Sequence, residues 1–337
     1  MTIRTAIIGI GPSTPGKGGA HSISYLHAAS YGATADFELV GACSRTRKNV
    51  DDFMAEFPGC QGYQDYQRML SELRPEMVSV CAFAPDREAM VNAALDCGAK
   101  GIIIEKPFAL TLVAAERMIA RAESCGARLF VNHQRRYGRP FEAFRDAVTR
   151  IGELLSVDAV QPFGNILDFG THVIDIALFA LGKERRIDNL FAAVDWHDAR
   201  EWQGTRAESR SLATVYFHDG VRLTFEAGLN PIVKHPLLRL NGSQGFAELH
   251  MEPAADVPNV YRAKLIGSAD IVSLDSTENI HHSEDPVLYM KRAVADIRQA
   301  MTEHTETRID ASEAFRGMQI MMGLYQSAKE QITVTFS

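Results

Sequence analysis

Two short constellations in this 337-residue chain carry side chains suited to proton chemistry. The first is Ile102-Ile103-Ile104-Glu105-Lys106-Pro107. Three β-branched apolar residues predict a buried strand that ends on a carboxylate, an amine and a proline. In an open parallel sheet, ligands sit beyond the carboxyl ends of the strands. Proline donates no ladder hydrogen bond and holds its own φ, so it stops the strand and fixes where Lys106 points. A lysine there can hold a substrate hydroxyl and help move its proton, and Glu105 can pair with that lysine or with a cofactor group. The competing reading is a solvated turn. The second constellation is Asp168, His172 and Asp175, spaced i, i+4, i+7 and expected on one face of a helix over 166–181. Its neighbours Ile166, Leu167, Phe169, Val173, Ile174 and Ile176 are apolar. Acid, imidazole and acid on such a stripe cost stability unless they are paired or used. Asp168 can orient the imidazole and stabilise its cation while His172 takes a proton, as a general base does. The alternatives are a satisfied polar cluster between domains and a metal site, for which one helix supplies too few ligands.

The elements before Lys106 must position it. Thr5 to Gly11 reads as a buried strand running into glycines, and a helix-like run from Ala20 to Ala29 follows. Strand, glycine turn and helix N-terminus make a phosphate cradle, with Gly9, Gly11, Pro12 and Ser13 as expected contacts. The turn departs from Gly-x-Gly-x-x-Gly: residues 12–19 are several too many, and Ser13, Thr14 or Lys17 is expected to touch a pyrophosphate. The second strand, 37–43, ends at Ser44-Arg45 with no acid. An acid there binds a ribose 2′-hydroxyl, whereas arginine accommodates a 2′-phosphate. Ser44, Arg45, Arg47 and Lys48 therefore point to NADP over NAD, the alternative being a solvated start to a helix over 49–57. Ala84 and Pro85, after a strand over 77–83, join Glu105 and Lys106 as further cofactor contacts. Strands alternate with helices over 66–73, 87–97 and 112–125, and a strand over 128–132 follows. That order predicts a doubly wound, Rossmann-type parallel sheet covered on both faces.

A domain boundary is placed after Gln134, giving a dinucleotide-binding domain over 1–134 and an α+β substrate and oligomerisation domain over 135–337, its last helix packing back on the first. Gln134, Arg135 and Tyr137 face a polar substrate or tie the domains together, and Asn165 in the turn before 166–181 is a further substrate candidate. From Leu212 the period changes to two. Hairpins form around His218-Asp219-Gly220 and Asn241-Gly242-Ser243-Gln244-Gly245, and a strand over 261–266 follows. The expectation is an open, mainly antiparallel sheet with helices on one side and its other face apolar, hence a homodimer or homotetramer. His281-His282 reads as solvated loop. Helices are expected over 285–302 and 311–328, with Met318, Met321 and Met322 as packing.

Composition bounds the rest. A net charge of -7 argues against a nucleic-acid surface. The five cysteines are odd in number and form no Cys-x-x-Cys pair, which fits free thiols in a reducing cytoplasm. The chain enters a strand within a few residues, leaving no room for a signal peptide, and no apolar run approaches the ~20 residues of a membrane span.

The Glu105-Lys106-Pro107 strand end, the Asp168-x-x-x-His172 helix and the two-domain order together resemble the Gfo/Idh/MocA oxidoreductases over nearly the whole chain. Tyr63-Gln64-Asp65-Tyr66, Pro85 and Asn241-Gly242-Ser243-Gln244-Gly245 support the resemblance. It implies an NAD(P)-dependent dehydrogenase or reductase of sugars, cyclitols or related polyols. It also implies Lys106 at the reacting hydroxyl, His172 as acid/base, Asp168 beside it and an open sheet face of the kind used for oligomerisation; with too few ligands on one helix, no metal is expected. Two features depart from the family: the long glycine loop, and a short stretch between Val160 and Asp168 that lacks a glycine-rich run. Two other classes stay open, a non-catalytic nucleotide-binding regulator of this fold and a metal-dependent lyase or hydrolase using His172.

Overall fold

The computed structural model describes residues 2–13, 23–228, 235–251, 260–266, 271–275 and 287–336. Thr14, Lys17, the start of the run at Ala20 and His281-His282 lie outside the described residues. The chain divides into two compact units, Met1–Gln134 with Asp285–Phe315, and Arg135–Glu284 with Arg316–Ser337.

The first unit alternates strand and helix: β1 (Ile3–Ile8), α1 (Ile23–Gly32), β2 (Phe37–Cys43), α2 (Arg47–Glu56), β3 (Gln61–Tyr63), α3 (Tyr66–Leu73), β4 (Met77–Val80), α4 (Arg87–Asp96), β5 (Gly101–Ile104), α5 (Leu112–Ser124) and β6 (Arg128–Val131). Its described strands form one parallel sheet in the order β3-β2-β1-β4-β5-β6. Chain order reverses between β1 and β4, which is where a doubly wound sheet opens a crevice for a ligand. Central strands of such a sheet are covered on both faces, so they read as continuous apolar runs; Ile102, Ile103 and Ile104 are fully buried. Caps set the helix starts. Asp65 accepts from the N–H groups of Gln67 and Arg68 at 2.8 and 3.3 Å, and Thr111 accepts from Ala114 at 3.2 Å.

The second unit holds α6 (Arg139–Asp146), β7 (Leu154–Gln161), α7 (Thr171–Leu181), β8 (Ile187–Asp195), β9 (Arg200–Trp202), β10 (Thr205–Ala207), β11 (Arg210–Phe217), β12 (Arg222–Gly228), β13 (Leu237–Gly242), β14 (Gly245–His250), β15 (Val260–Leu265) and β16 (Ile271–Asp275). The chain ends with α8 (Leu288–Glu303), α9 (Ala311–Glu330) and β17 (Val334–Thr335). The large sheet runs β16-β15-β14-β13-β7-β12-β11-β8-β17 and is antiparallel except for β7 beside β12. Its exposed face differs from the apolar one expected. Phe191, Leu212 and Tyr216 form an exposed apolar strip on β8 and β11. Further along, Asn241 bonds Asp158 at 2.8 Å and Arg239 bonds Glu248 at 2.8 Å. Charged residues paired across strands make that half polar.

Helix α8 and the first residues of α9 belong to the first unit. There α8 packs against α1, and Arg298 pairs with Asp36 at 2.6 Å. Among the described residues, no helix is long and apolar enough to cross a membrane.

Candidate active site

At the carboxyl edge of the first sheet, close backbone approach dictates the glycine at the end of β1. Gly9 has φ +93, and a Cβ there would lie 2.5 Å from Ala82 N, so a side chain would push the β1 end off the β4 end. Gly11 is half-buried, Pro12 exposed and Ser13 half-buried. The Ser13 hydroxyl donates to Asp52 at 2.9 Å. Lys48 first, and then this hydroxyl, hold the Asp52 carboxyl below its ordinary value.

At the end of β2, the Ser44 hydroxyl turns inward and donates to the carbonyl of Ile10 at 2.9 Å. Arg47 and Lys48 pair with Asp51 and Asp52 at 2.9 and 2.7 Å. Spacing of i, i+4 along α2 makes these pairings local, so two of the three expected cations already have carboxylate partners. Arg45 is exposed and makes no side-chain bond among the described residues. After β4, Ala84 is buried and Pro85 exposed in the 3₁₀ turn Ala84–Asp86. Glycines at the switch point, a free arginine at the β2 end and open edges after β4 and β5 fit a dinucleotide laid across the edge. Gly9, Gly11 and Ser13 would face its phosphates, and Arg45 its ribose.

Glu105 is 6% exposed and faces inward. His27 Nε2 lies 3.0 Å and Asn132 Nδ2 2.6 Å from its Oε1. Burial alone would raise this carboxyl, but His27, Asn132 and Arg87 together hold it below its ordinary value. Arg87, 2% exposed, donates to the carbonyls of Ala82, Glu105, Lys106 and Pro107. Burial first lowers its own pKa, to about 10, so it remains a cation at neutral pH. Lys106 itself is half-buried.

In the second unit the expected helix begins with a π-helical turn, Ile166–Gly170, before α7. The Gly170 N–H reaches the carbonyl of Asn165 at 3.1 Å, a five-residue step. A Cβ on Gly170 would lie 3.2 Å from the Phe225 ring and 3.3 Å from that carbonyl, so glycine keeps the turn closed. Asn165 caps it, its Oδ1 accepting from the Asp168 N–H at 2.9 Å. The wide turn changes the helix phase, and the three polar residues do not share one environment. Asp168 and His172 are half-buried. Asp175 is buried against Arg136, with contacts of 2.7, 3.0 and 3.2 Å. Asp175 is thus a structural anion, whereas Asp168 and His172 are less buried than it. Gln134, Arg135 and Tyr137 lie buried in the 3₁₀ turn Gln134–Tyr137.

Sequence reasoning missed two groups. His27 and Tyr31 carry a readable signal, since they stand i, i+4 on a helix whose residues are mostly apolar. Glu208 carried none. It is 4% exposed, accepts the Ile166 N–H at 2.7 Å and the Tyr325 hydroxyl at 2.5 Å, and so anchors the turn before Asp168. Tyr325 is 117 residues away in sequence.

Residues 3–133 match the family model described as "Oxidoreductase family, NAD-binding Rossmann fold". A D-glucoside 3-dehydrogenase of Escherichia coli is 26% identical over 66% of this chain and 69% of its own length. A D-apiose dehydrogenase of Paraburkholderia graminis is 28% identical over 66% of this chain and 63% of its own length. Among solved structures, an oxidoreductase from Agrobacterium radiobacter in complex with NAD+, L-tartaric acid and magnesium superposes with a TM-score of 0.80. It covers 99% of this chain and 98% of that one at 17% identity, a likeness of fold alone. The sheet that reverses at β1 and β4, with Glu105-Lys106-Pro107 closing β5, lies within the residues that match the NAD-binding Rossmann domain of the Gfo/Idh/MocA oxidoreductases.

Proposed function

We propose that this protein transfers a hydride between a nicotinamide nucleotide and a secondary alcohol or carbonyl carbon of a sugar, cyclitol or related polyol. In this reading the first unit binds the nucleotide and the second the substrate. The observation that carries it is Lys106, half-buried at the carboxyl edge of the first sheet on a backbone clamped by Arg87. The two dehydrogenase relatives support a sugar-like substrate.

Bound nicotinamide supplies the redox chemistry. In the oxidising direction, Lys106 hydrogen-bonds the reacting hydroxyl and His172 takes its proton, with Asp168 stabilising the imidazolium. Asn165 offers its Nδ2 to a substrate hydroxyl, and Gln134, Arg135 and Tyr137 line the polar wall. We further propose NADP(H) over NAD(H) through Arg45, assembly as a homodimer or homotetramer through the Phe191, Leu212 and Tyr216 strip, and a reducing cytoplasmic setting for the free cysteines.

The test is turnover of methyl β-D-glucoside, D-apiose and myo-inositol with NAD and NADP, in wild type, Lys106→Ala and His172→Ala. Each variant should lose about 10²-fold or more in kcat, the scale of a lost proton-transfer group, with nucleotide affinity by calorimetry little changed. Near-normal turnover in both variants refutes the assignment.

A further inference from the structure

Behind the strand end that carries Lys106, the first unit buries a line of polar groups that takes no part in the chemistry proposed above. His27 and Tyr31 stand on one face of α1. His27 Nδ1 lies 3.0 Å from Ser79 Oγ on β4, and the Tyr31 hydroxyl lies 2.6 Å from the same oxygen. On the other side of the ring, His27 Nε2 meets Glu105 Oε1 at 3.0 Å. Asn132, just past β6, brings its Nδ2 to that oxygen at 2.6 Å. His27 and Ser79 are fully buried, and Tyr31 and Asn132 are 1% exposed.

Proton counting gives the line a direction. An ionised carboxylate only accepts, so His27 Nε2 and Asn132 Nδ2 both donate to Glu105. The 3.2 Å between those two nitrogens is then the separation of two donors converging on one oxygen. A neutral imidazole protonated at Nε2 accepts at Nδ1. In that tautomer Ser79 donates to His27 and Tyr31 to Ser79. Two segments thus aim donors at one carboxylate, α1 through His27 and the end of β6 through Asn132, while Arg87 holds the carbonyls of the same residue and of the two that follow. The Glu105 side chain and the main chain from Glu105 to Pro107 are both clamped. Polar groups buried this deeply cost stability unless paired, and an apolar set of the same shape would fill the space without any such direction.

We propose that His27 is a positioning residue: by holding the Glu105 carboxylate inside the first unit, it fixes the direction in which the adjoining Lys106 leaves β5. The inference rests on the reading of Lys106 as the group at the reacting hydroxyl. His27→Leu removes both ring donors and acceptors. His27→Gln keeps an N–H near the place of Nε2 and is the conservative rescue.

Lys106 accessibility is read in the nucleotide-free protein as its rate of reductive methylation, resolved by peptide mass, with Lys100 as the exposed internal control. In His27→Leu the Lys106 rate should change several-fold while Lys100 does not, and His27→Gln should stay near wild type. With the same polyol panel and NAD, His27→Leu should lose about tenfold to 10²-fold in kcat, since small misplacements away from the chemistry reach that size. KM for NAD and calorimetric NAD affinity should be little changed, and His27→Gln should recover most of the loss. A wild-type Lys106 methylation rate and wild-type kcat in His27→Leu overturn the proposal. So does an equal loss in both variants that follows the folded fraction seen in thermal unfolding. Lys106→Met separates the two readings. If Lys106→Met is inactive and His27→Leu is normal, the positioning role alone has failed. Normal turnover in Lys106→Met means the catalytic reading beneath it has failed.

Discussion

Breaking the Arg136–Asp175 pair should destabilise the second unit more than losing either candidate proton-transfer residue, His172 or Asp168. Both side chains are nearly dry, 3% and 5% exposed. Two guanidinium nitrogens approach the carboxylate at 2.7 to 3.2 Å, and the guanidinium lies 5.2 Å over the Phe179 ring. Arg136→Met leaves a carboxylate among apolar residues without its guanidinium, which costs about 3–5 kcal/mol for a buried pair broken on one side. Asp175→Asn keeps an oxygen but removes the charge, and should cost about 1.5–3 kcal/mol, the size of a hydrogen bond to a charged group. Arg136→Met with Asp175→Leu leaves no uncompensated charge and should sit much closer to wild type than the sum of the single losses. Both tryptophans of the chain, Trp196 and Trp202, lie in the second unit. Tryptophan fluorescence in urea therefore follows this unit. With a slope of about 2–3 kcal/mol per molar, Arg136→Met should lower the midpoint by roughly 1–2 M. Single losses below about 1 kcal/mol that simply add in the double variant would refute the claim that this pair is dry and coupled.

Three further outcomes are expected. NADP(H) should bind more tightly than NAD(H), by about 1.5 kcal/mol, the low end for one charged hydrogen bond because Arg45 is exposed; Arg45→Ala should erase most of the difference, and equal or tighter NAD binding by the wild type in calorimetry would show the assignment to be wrong. Glu105 has its folded pKa below the unfolded value, so its contribution is complete above the ordinary glutamate range and is lost as pH falls through the lowered folded value. Unfolding free energy against pH should fall more steeply in wild type than in Glu105→Gln on the acid side, and parallel curves there would contradict the buried anion. Light scattering at micromolar concentration should give a dimer or tetramer, and Leu212→Asp should dissociate it; a monomeric wild type would exclude that interface.

The first unit was legible in the sequence because its signals are local. β-branched runs, glycine turns and alternation with helices fix a parallel sheet, and Ile102-Ile103-Ile104 could be placed as a central strand from composition alone. What escaped was set by partners far along the chain. β3 has three residues and β8 carries mixed polarity, so neither gave a periodic run of its own. The wide turn at 166–170 also escaped, because it depends on the Asn165 cap, on Glu208 from another element and on the contact of Gly170 with Phe225. A regular period carried through that turn places Asp175 beside Asp168 and His172. The structure instead gives Asp175 to Arg136, whose position 39 residues upstream no helical spacing encodes.

Burial sorts the candidate residues by role. Glu105, Ser44 and Asp175 read in sequence as groups that could touch a ligand, yet each is buried and bonded to neighbours in its own unit. A buried carboxylate held by two or three donors is a poor contact for a ligand, because reaching out would leave those donors unpaired at a cost of about 1–3 kcal/mol each. Lys106, Asp168 and His172 are half-buried and Arg45 is exposed, so each can meet a ligand without breaking the core. The same chemistry that made Glu105 and Asp175 look reactive makes them good clamps, the first beneath Lys106 and the second one turn past His172. A glutamate that touched the nucleotide directly would tie nucleotide affinity and lysine placement together. With Glu105 held from behind, the two are separable, and a variant there should change kcat while leaving the affinity for NAD in place.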